Sequence, residues 1–364
     1  MKIKEIVNEL NSYAPIELQE NFDNSGLNIG NLENDIIGIL ICIDIIPEVV
    51  QEAIDKKCNL IISHHPLIFN NLKKIIGVNY VERSIILAIK NDISIYCGHT
   101  NFDNYSEGVN KKIAEKIGLE DIKILSTNSE QIKKISVFVP LKYAQTVRNA
   151  MFEAGAGKQG NYDCCSYNTD GFGSFRANEK AKPFVGKNSE MHLEAETKIE
   201  TIYPAYLENK ILEAIFTTHP YEEVAYDIYT INNNIKFAGL GMYGSFEKEI
   251  TELEFLNRLK TTFTVENIRH SKMLNKKIQK VAVCGGSGSF LIEKAKLIDV
   301  QAFVTADIKY HDYFLAEDKI FLIDIGHYES EQYTKEIFFD IINKKSVNFA
   351  VIFSEINTNP IKNY

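Results

Sequence analysis

No stretch of the 364 residues is long and apolar enough to cross a bilayer. The longest apolar run, "IIGILICI" (Ile36 to Ile43), falls far short of a span. The start, "MKIKEIVNELNSYAP", lacks a secretory apolar core and instead alternates charged and apolar residues at helical spacing. No long basic run exists, and the formal net charge is -9. Non-specific nucleic-acid or anionic-membrane binding is therefore not expected, while small anionic ligands, which need only a local cluster, stay open. Cysteine is sparse: six residues, Cys42, Cys58, Cys97, Cys164, Cys165 and Cys284, none in a C-x-x-C. Several sit inside strand-like runs, where a cysteine acts as a small hydrophobe. Reduced thiols and a cytoplasmic protein are the expectation.

What is present is 45% hydrophobic and 24% charged sequence, too long for one ordinary core. The first segment alternates strand and helix patterns. "IIGILICID", "CNLIISHHP" and "ISIYCGHTNFD" read as strands, and Pro47 marks a helix start before "EVVQEAIDKK". "YVERSIILAIKN" and "GVNKKIAEKIG" read as helices, so parallel pairing by right-handed crossovers follows. The last segment repeats this grammar, with "IQKVAVCGGSGS", "QAFVTADI", "KIFLIDIGH" and "VNFAVIFSE" as strands and "YESEQYTKEIFFDIINKK" as one long helix. The middle has a β-α-β-β-α-β-like order, including a hairpin expected to turn near Asp170-Gly171. That order is ferredoxin-like. The expected fold is therefore α/β: two mostly parallel halves, 1–128 and 236–364, form one core domain, interrupted by an α+β insertion at 129–235.

Ligands in open α/β sheets collect outside the carboxyl ends of the strands. Here one such end reads "SHHP" (His64, His65), a second "GHTNFD" (His99, Asp103), and a third "IGHYESE" (His327, Glu331). Each has a bland alternative: a packed and a solvated ring, turn residues, an exposed helix pair. Three His-plus-carboxylate clusters on strand ends, holding four of the eight histidines, are hard to obtain independently. His327 and Glu331 share one helix face at i, i+4. Imidazole and carboxylate without thiolate suit zinc, iron, manganese, cobalt or nickel. Adjacent strand residues splay apart, and Pro66 biases His65 to extended backbone, so the two histidines are expected to serve different ions, with Asp103 or Glu331 as the bridge. Two ions sharing a water supply a nucleophile near neutral pH.

"SHHPLIF", "GHTNFD", "CGGSGS" with "TADIKYHD", and "IGHYESE" together resemble the signature blocks of the Nif-three-like dinuclear-metal family, whose members carry the name GTP cyclohydrolase I type 2 homologue. The resemblance covers essentially the whole chain. "HPYEEVAYD" lies in a middle domain similar to the PII- and CutA-like insertion of the longer bacterial members. The resemblance implies a toroidal homohexamer with two divalent ions per chain. It implies His64, His65, Asp103, His327 and Glu331 as metal ligands, with His99 outside that set, in contact with the ligands rather than the metal.

Weaker candidates surround this set. Gly286 and Ser287 lie in "GGSGS", where backbone N–H groups can cradle a phosphate or simply turn the chain. Asp307, Lys309 and His311 lie at another strand end, and Tyr328 flanks His327. "HPYEE" (His219 to Glu223) reads as a turn with a capping role. No residue stands out as the catalytic acid or base. The leading expectation is a metal-dependent hydrolase of a nucleotide or related phosphorylated substrate, GTP cyclohydrolase-like. A metal-dependent phosphoesterase fits the same residues, as does a non-catalytic regulatory or chaperone-like metal ring.

Overall fold

The computed structural model describes residues 1–127, 132–233, 237–345 and 347–362, so the expected boundaries at 128/129 and 235/236 lie outside the described residues. The chain forms two compact units. One combines Met1–Thr127 with Phe237–Tyr364, and the other is Asn128–Lys236.

The first unit holds two sheets. The first sheet runs in the order Gly26–Ile29, Ser94–Cys97, Leu60–Ser63, Gly38–Cys42, Ala350–Phe353. All its pairings are parallel except the edge strand Gly26–Ile29. Side-chain alternation explains its burial on both faces. Ile39 and Ile41 enter the central core, while Leu40 and Cys42 meet the helices Pro47–Asp55 and Tyr80–Lys90 on the other face. Pro47 does occupy the first helical turn, where its missing N–H costs nothing.

The second sheet is ordered Arg269–His270, Phe321–Asp324, Ala302–Ala306, Lys277–Ser287, Leu240–Thr251, Glu120–Ser126. Only the three strands from Lys277–Ser287 to Phe321–Asp324 are mutually parallel. The other three pair antiparallel, so the second half is a mixed sheet rather than a mostly parallel one. The strands Leu240–Thr251, Glu120–Ser126 and Arg269–His270 are not among those the sequence pattern marks, and they supply all of this sheet's antiparallel pairing. The chain also exchanges strands. Glu120–Ser126 from the first half joins the second sheet, and Ala350–Phe353 from the second half joins the first.

Between the sheets lies the largest core, where Ile62, Tyr96, Val283, Val304 and Ile323 meet the helices Ile3–Tyr13, Val109–Ile117, Glu252–Phe263 and Thr334–Asn343. Each such Ile or Val contributes roughly 1.5–3 kcal/mol by leaving water. The expected helix from Tyr328 is two helices, His327–Glu331 and Thr334–Asn343. "TNFD", expected as strand, is the short helix Thr100–Asn104.

The second unit has four antiparallel strands in the order Tyr167–Arg176, Met191–Pro204, Ile132–Pro140, Tyr226–Thr230. Helices Ala144–Glu153 and Glu208–Thr218 cover one face, with Val147, Met151, Ile211 and Ile215 packed on Ile135, Val137 and Ile199. No turn occurs at Asp170-Gly171. Both lie inside a strand that pairs with Met191–Pro204 along its whole length, Asp170 opposite Thr197 and Gly171 opposite Glu196. The ladder, together with the bond from Thr197 Oγ1 to Asp170 at 2.7 Å, overrides the local turn preference.

Candidate metal centre

In the first unit the parallel strands of both sheets deliver their carboxyl ends to one place. Leu60–Ser63 leads to His64 and His65, Ser94–Cys97 to His99 and Asp103, Gly38–Cys42 to Asp44. From the second sheet, Ala302–Ala306 leads to Asp307 and Phe321–Asp324 to His327 and Glu331.

Glu331 is the centre of the arrangement. Its Oε2 lies 3.0 Å from His65 Nε2, 3.2 Å from His327 Nε2 and 3.5 Å from His64 Nε2. His64 Nε2 is 3.7 Å from Asp103 Oδ1. Two groups able to hold a metal ion therefore share one carboxylate: His65, His327 and Glu331, and His64, Asp103 and Glu331. A third group joins His64, His65 and His99. The five sequence-predicted ligands come together, and His99 stands beside them. His64 and His65 are not splayed to opposite faces. The strand ends at Ser63, alternation stops, and the ring centroids lie 4.9 Å apart, although each joins a different carboxylate-containing group.

The rings are aimed from behind. His64 Nδ1 donates to Gly98 O at 2.8 Å, and His65 Nδ1 to Asp44 Oδ1 at 2.7 Å. His99 Nδ1 donates to Asp23 Oδ1 and His327 Nδ1 to Asp307 Oδ2, both at 2.7 Å. With Nδ1–H turned outward, a neutral ring points the Nε2 lone pair inward. His65 and His327 Nε2 stand 3.3 Å apart. Sequence reasoning missed Asp23 and Asp44. Asp44 had a signal: it follows the strand neighbouring the one that carries His65.

The electrostatics favour a cation at this point. His64 Nε2, Asp103 Oδ1 and Glu331 Oε2 are buried with no hydrogen-bond partner. Such atoms cost about 1–3 kcal/mol each. Burial opposes the charged form of His65 and His327, yet the bonds to Asp44, Asp307 and Glu331 prevail and raise their pKa values to about 10 and about 11. Burial and then the Glu331 charge push Asp103 up to about 7. Glu331 is itself buried, but the surrounding imidazoles hold it well below the usual carboxylate range. The donor set, two carboxylates and imidazole nitrogens with orphaned lone pairs, fits divalent cations.

The other candidates divide. Gly286, at φ +57°, lies against the cluster: a Cβ there would come 2.4 Å from Glu331 Oε1. Its N–H donates to Ser330 Oγ, and that of Gly285 to Asn110 Oδ1, so both are already committed and leave no phosphate cradle at these two residues. The "GGS" residues continue the strand to Ser287 rather than turning. Ser287 lines a cavity of about 540 Å³ shared with His99, Asp103, His327 and Glu331. Tyr328 is half-buried, its pKa raised by burial and then by the Asp44 charge. Lys309 and His311 are exposed at the start of the turn Tyr310–Ala316, outside the cavity lining. Asp307 instead serves His327.

A sequence model of the Duf34/NIF3 (NGG1p interacting factor 3) family matches residues 1–360. A Bacillus subtilis protein named GTP cyclohydrolase 1 type 2 homolog is 36% identical over 98% of this chain and 97% of its own. The crystal structure of a Bacillus cereus protein related to NIF3 superposes with a TM-score of 0.83 at 36% identity, covering 100% of this chain and 99% of that one. A Staphylococcus aureus crystal structure gives 0.79 at 30% identity, with 100% and 99% coverage. The chain belongs to the Duf34/NIF3 family.

Proposed function

We propose that the chain is a dinuclear metal-dependent hydrolase acting on a nucleotide or related phosphorylated substrate. The observation that carries this is the single Glu331 Oε2 shared by two three-residue groups, each with orphaned or inward-facing donor atoms. His65 and His327 would hold one ion, His64 and Asp103 the other, and Glu331 would bridge. Two divalent ions bound there supply Lewis acidity and an activated water for hydrolysis. The chain's own contribution is orientation. Asp44, Asp307 and the Gly98 carbonyl fix three imidazole tautomers, and burial keeps bulk water from Glu331, 3% exposed.

The name shared by the relatives supports hydrolytic chemistry on a nucleotide. We also propose assembly into a homohexamer and a cytoplasmic location, on the family resemblance and on the free cysteines. No helix among the described residues is long and apolar enough to cross a membrane. For the second unit, the strand order supports a ferredoxin-like, PII/CutA-like insertion. The test is turnover of a nucleotide panel by protein of graded metal occupancy. Product formation in proportion to occupancy is expected. No turnover at full occupancy across the panel would favour a regulatory or chaperone-like ring.

A further inference from the structure

The cavity beside the cluster indicates which part of a substrate the protein grips, an inference that rests on the hydrolase reading above. Phe22, Phe69 and Phe290 line it at 64%, 47% and 60% exposure. The Phe22 and Phe69 rings stand 6.2 Å apart, and Phe69 meets the edge of His99 at 6.2 Å, so an aromatic row leads to the cluster. Charge follows a different pattern. The described lining residues include Glu20 but no lysine or arginine, and the Gly285 and Gly286 N–H groups are already bonded. Polyphosphate recognition uses such cations or free N–H groups. Stacking of a planar ring needs only aromatic faces.

We propose that the cavity recognises a planar aromatic ring, such as a nucleobase, by stacking on Phe22, Phe69 and Phe290, and that its own side chains add no cationic grip on a phosphate chain. Calorimetric titration of the zinc-loaded and of the metal-free protein with guanosine and with GTP tests it. Guanosine should bind, and any tighter binding of GTP should come from the zinc, so in the metal-free protein the two should agree within threefold. Phe22→Ala and Phe69→Ala should each weaken guanosine by about tenfold while the zinc content stays that of the parent. GTP binding more than tenfold tighter to the metal-free protein, absent guanosine binding, or unchanged affinity in both variants overturns the proposal. The metal reading is judged separately, by zinc content.

A second observation concerns the segment after the last strand. Ala350–Phe353 runs parallel to Gly38–Cys42, so the chain leaves it at the edge that carries the cluster. Glu52 anchors it through Glu355 N–H at 2.8 Å. Further on, Thr358 Oγ1 donates to Asp44 Oδ2 at 2.6 Å, and Asn359 Nδ2 to Glu329 Oε1 at 2.8 Å. Asp44 Oδ1 holds His65. We infer that Thr358 is a positioning residue: residues 354–359 form a strap that sets affinity at the ion of His65 and His327, and leaves the ion of His64 and Asp103 alone. Stepwise cobalt titration, read by the visible absorption of each ion, tests this. Thr358→Val should weaken one ion by roughly 10- to 100-fold, and Thr358→Ser should restore it. Equal weakening of both ions, or of neither, overturns the strap.

Discussion

His64 in the first unit and His219 in the second are both buried, at 0% and 7% exposure, but their nitrogens are used differently. His219 Nε2 donates to Phe138 O at 3.0 Å, and its Nδ1 accepts the Tyr221 N–H at 3.1 Å, so both nitrogens are spent inside the fold. Burial lowers its pKa, which favours the neutral ring. His64 uses Nδ1 on Gly98 O and leaves Nε2 unpartnered beside two carboxylates. A histidine with both nitrogens bonded is a structural part. One with a backed Nδ1 and an orphaned, inward Nε2 can ligate a metal, and the other rings of the cluster, His65, His99 and His327, share the backed Nδ1.

Substitutions can break that contrast. Gly286→Ala should act most strongly, because the new Cβ meets Glu331 Oε1 and the positive φ disfavours any side chain. Affinity for both ions should fall about 100-fold or more, by analogy with lost supporting contacts, as read by competition with a chelating dye. Asp44→Asn should leave the fold intact and weaken one ion by roughly 10- to 100-fold in the same assay. His219→Ala should do the reverse. Metal content should stay unchanged, while urea denaturation shows a loss of about 1–3 kcal/mol from unpaired groups and lost packing.

Glu200→Gln should matter least. Hydrogen bonds from Lys134 and then Lys198 lower the Glu200 pKa from 4.5 to about 2. A depressed carboxylate pKa adds stability above pH 4.5 that fades as pH falls toward 2. Solvent screening limits this to below about 1 kcal/mol. Denaturation of parent and variant should therefore differ slightly at pH 7 and converge near pH 2.

The motif residues were legible because chemistry-bearing side chains sat next to readable strand ends: His64 and His65 after "LIIS", His327 after "FLID". The βαββαβ element order of the second unit was legible for the same reason of strong local pattern. Asp23 was hidden because it lies in a loop, tied to His99 only through the tertiary fold. The antiparallel strands Leu240–Thr251 and Glu120–Ser126 were hidden because their partners lie far off in sequence. Asp170-Gly171 misled because a local turn signal was outweighed by a ten-residue ladder. His311, exposed on its turn, lies outside the cavity lining although it follows a readable strand end.

In the proposed dinuclear site Glu331 serves two ions at once. Metal analysis of reconstituted parent, His327→Ala and Glu331→Gln, each with circular dichroism to confirm folding, tests it most directly. Two ions per chain are expected in the parent, a single tightly held ion in His327→Ala, and weakened binding of both ions in Glu331→Gln. A parent that holds one ion, or a Glu331→Gln variant that keeps both at parental affinity, would contradict it.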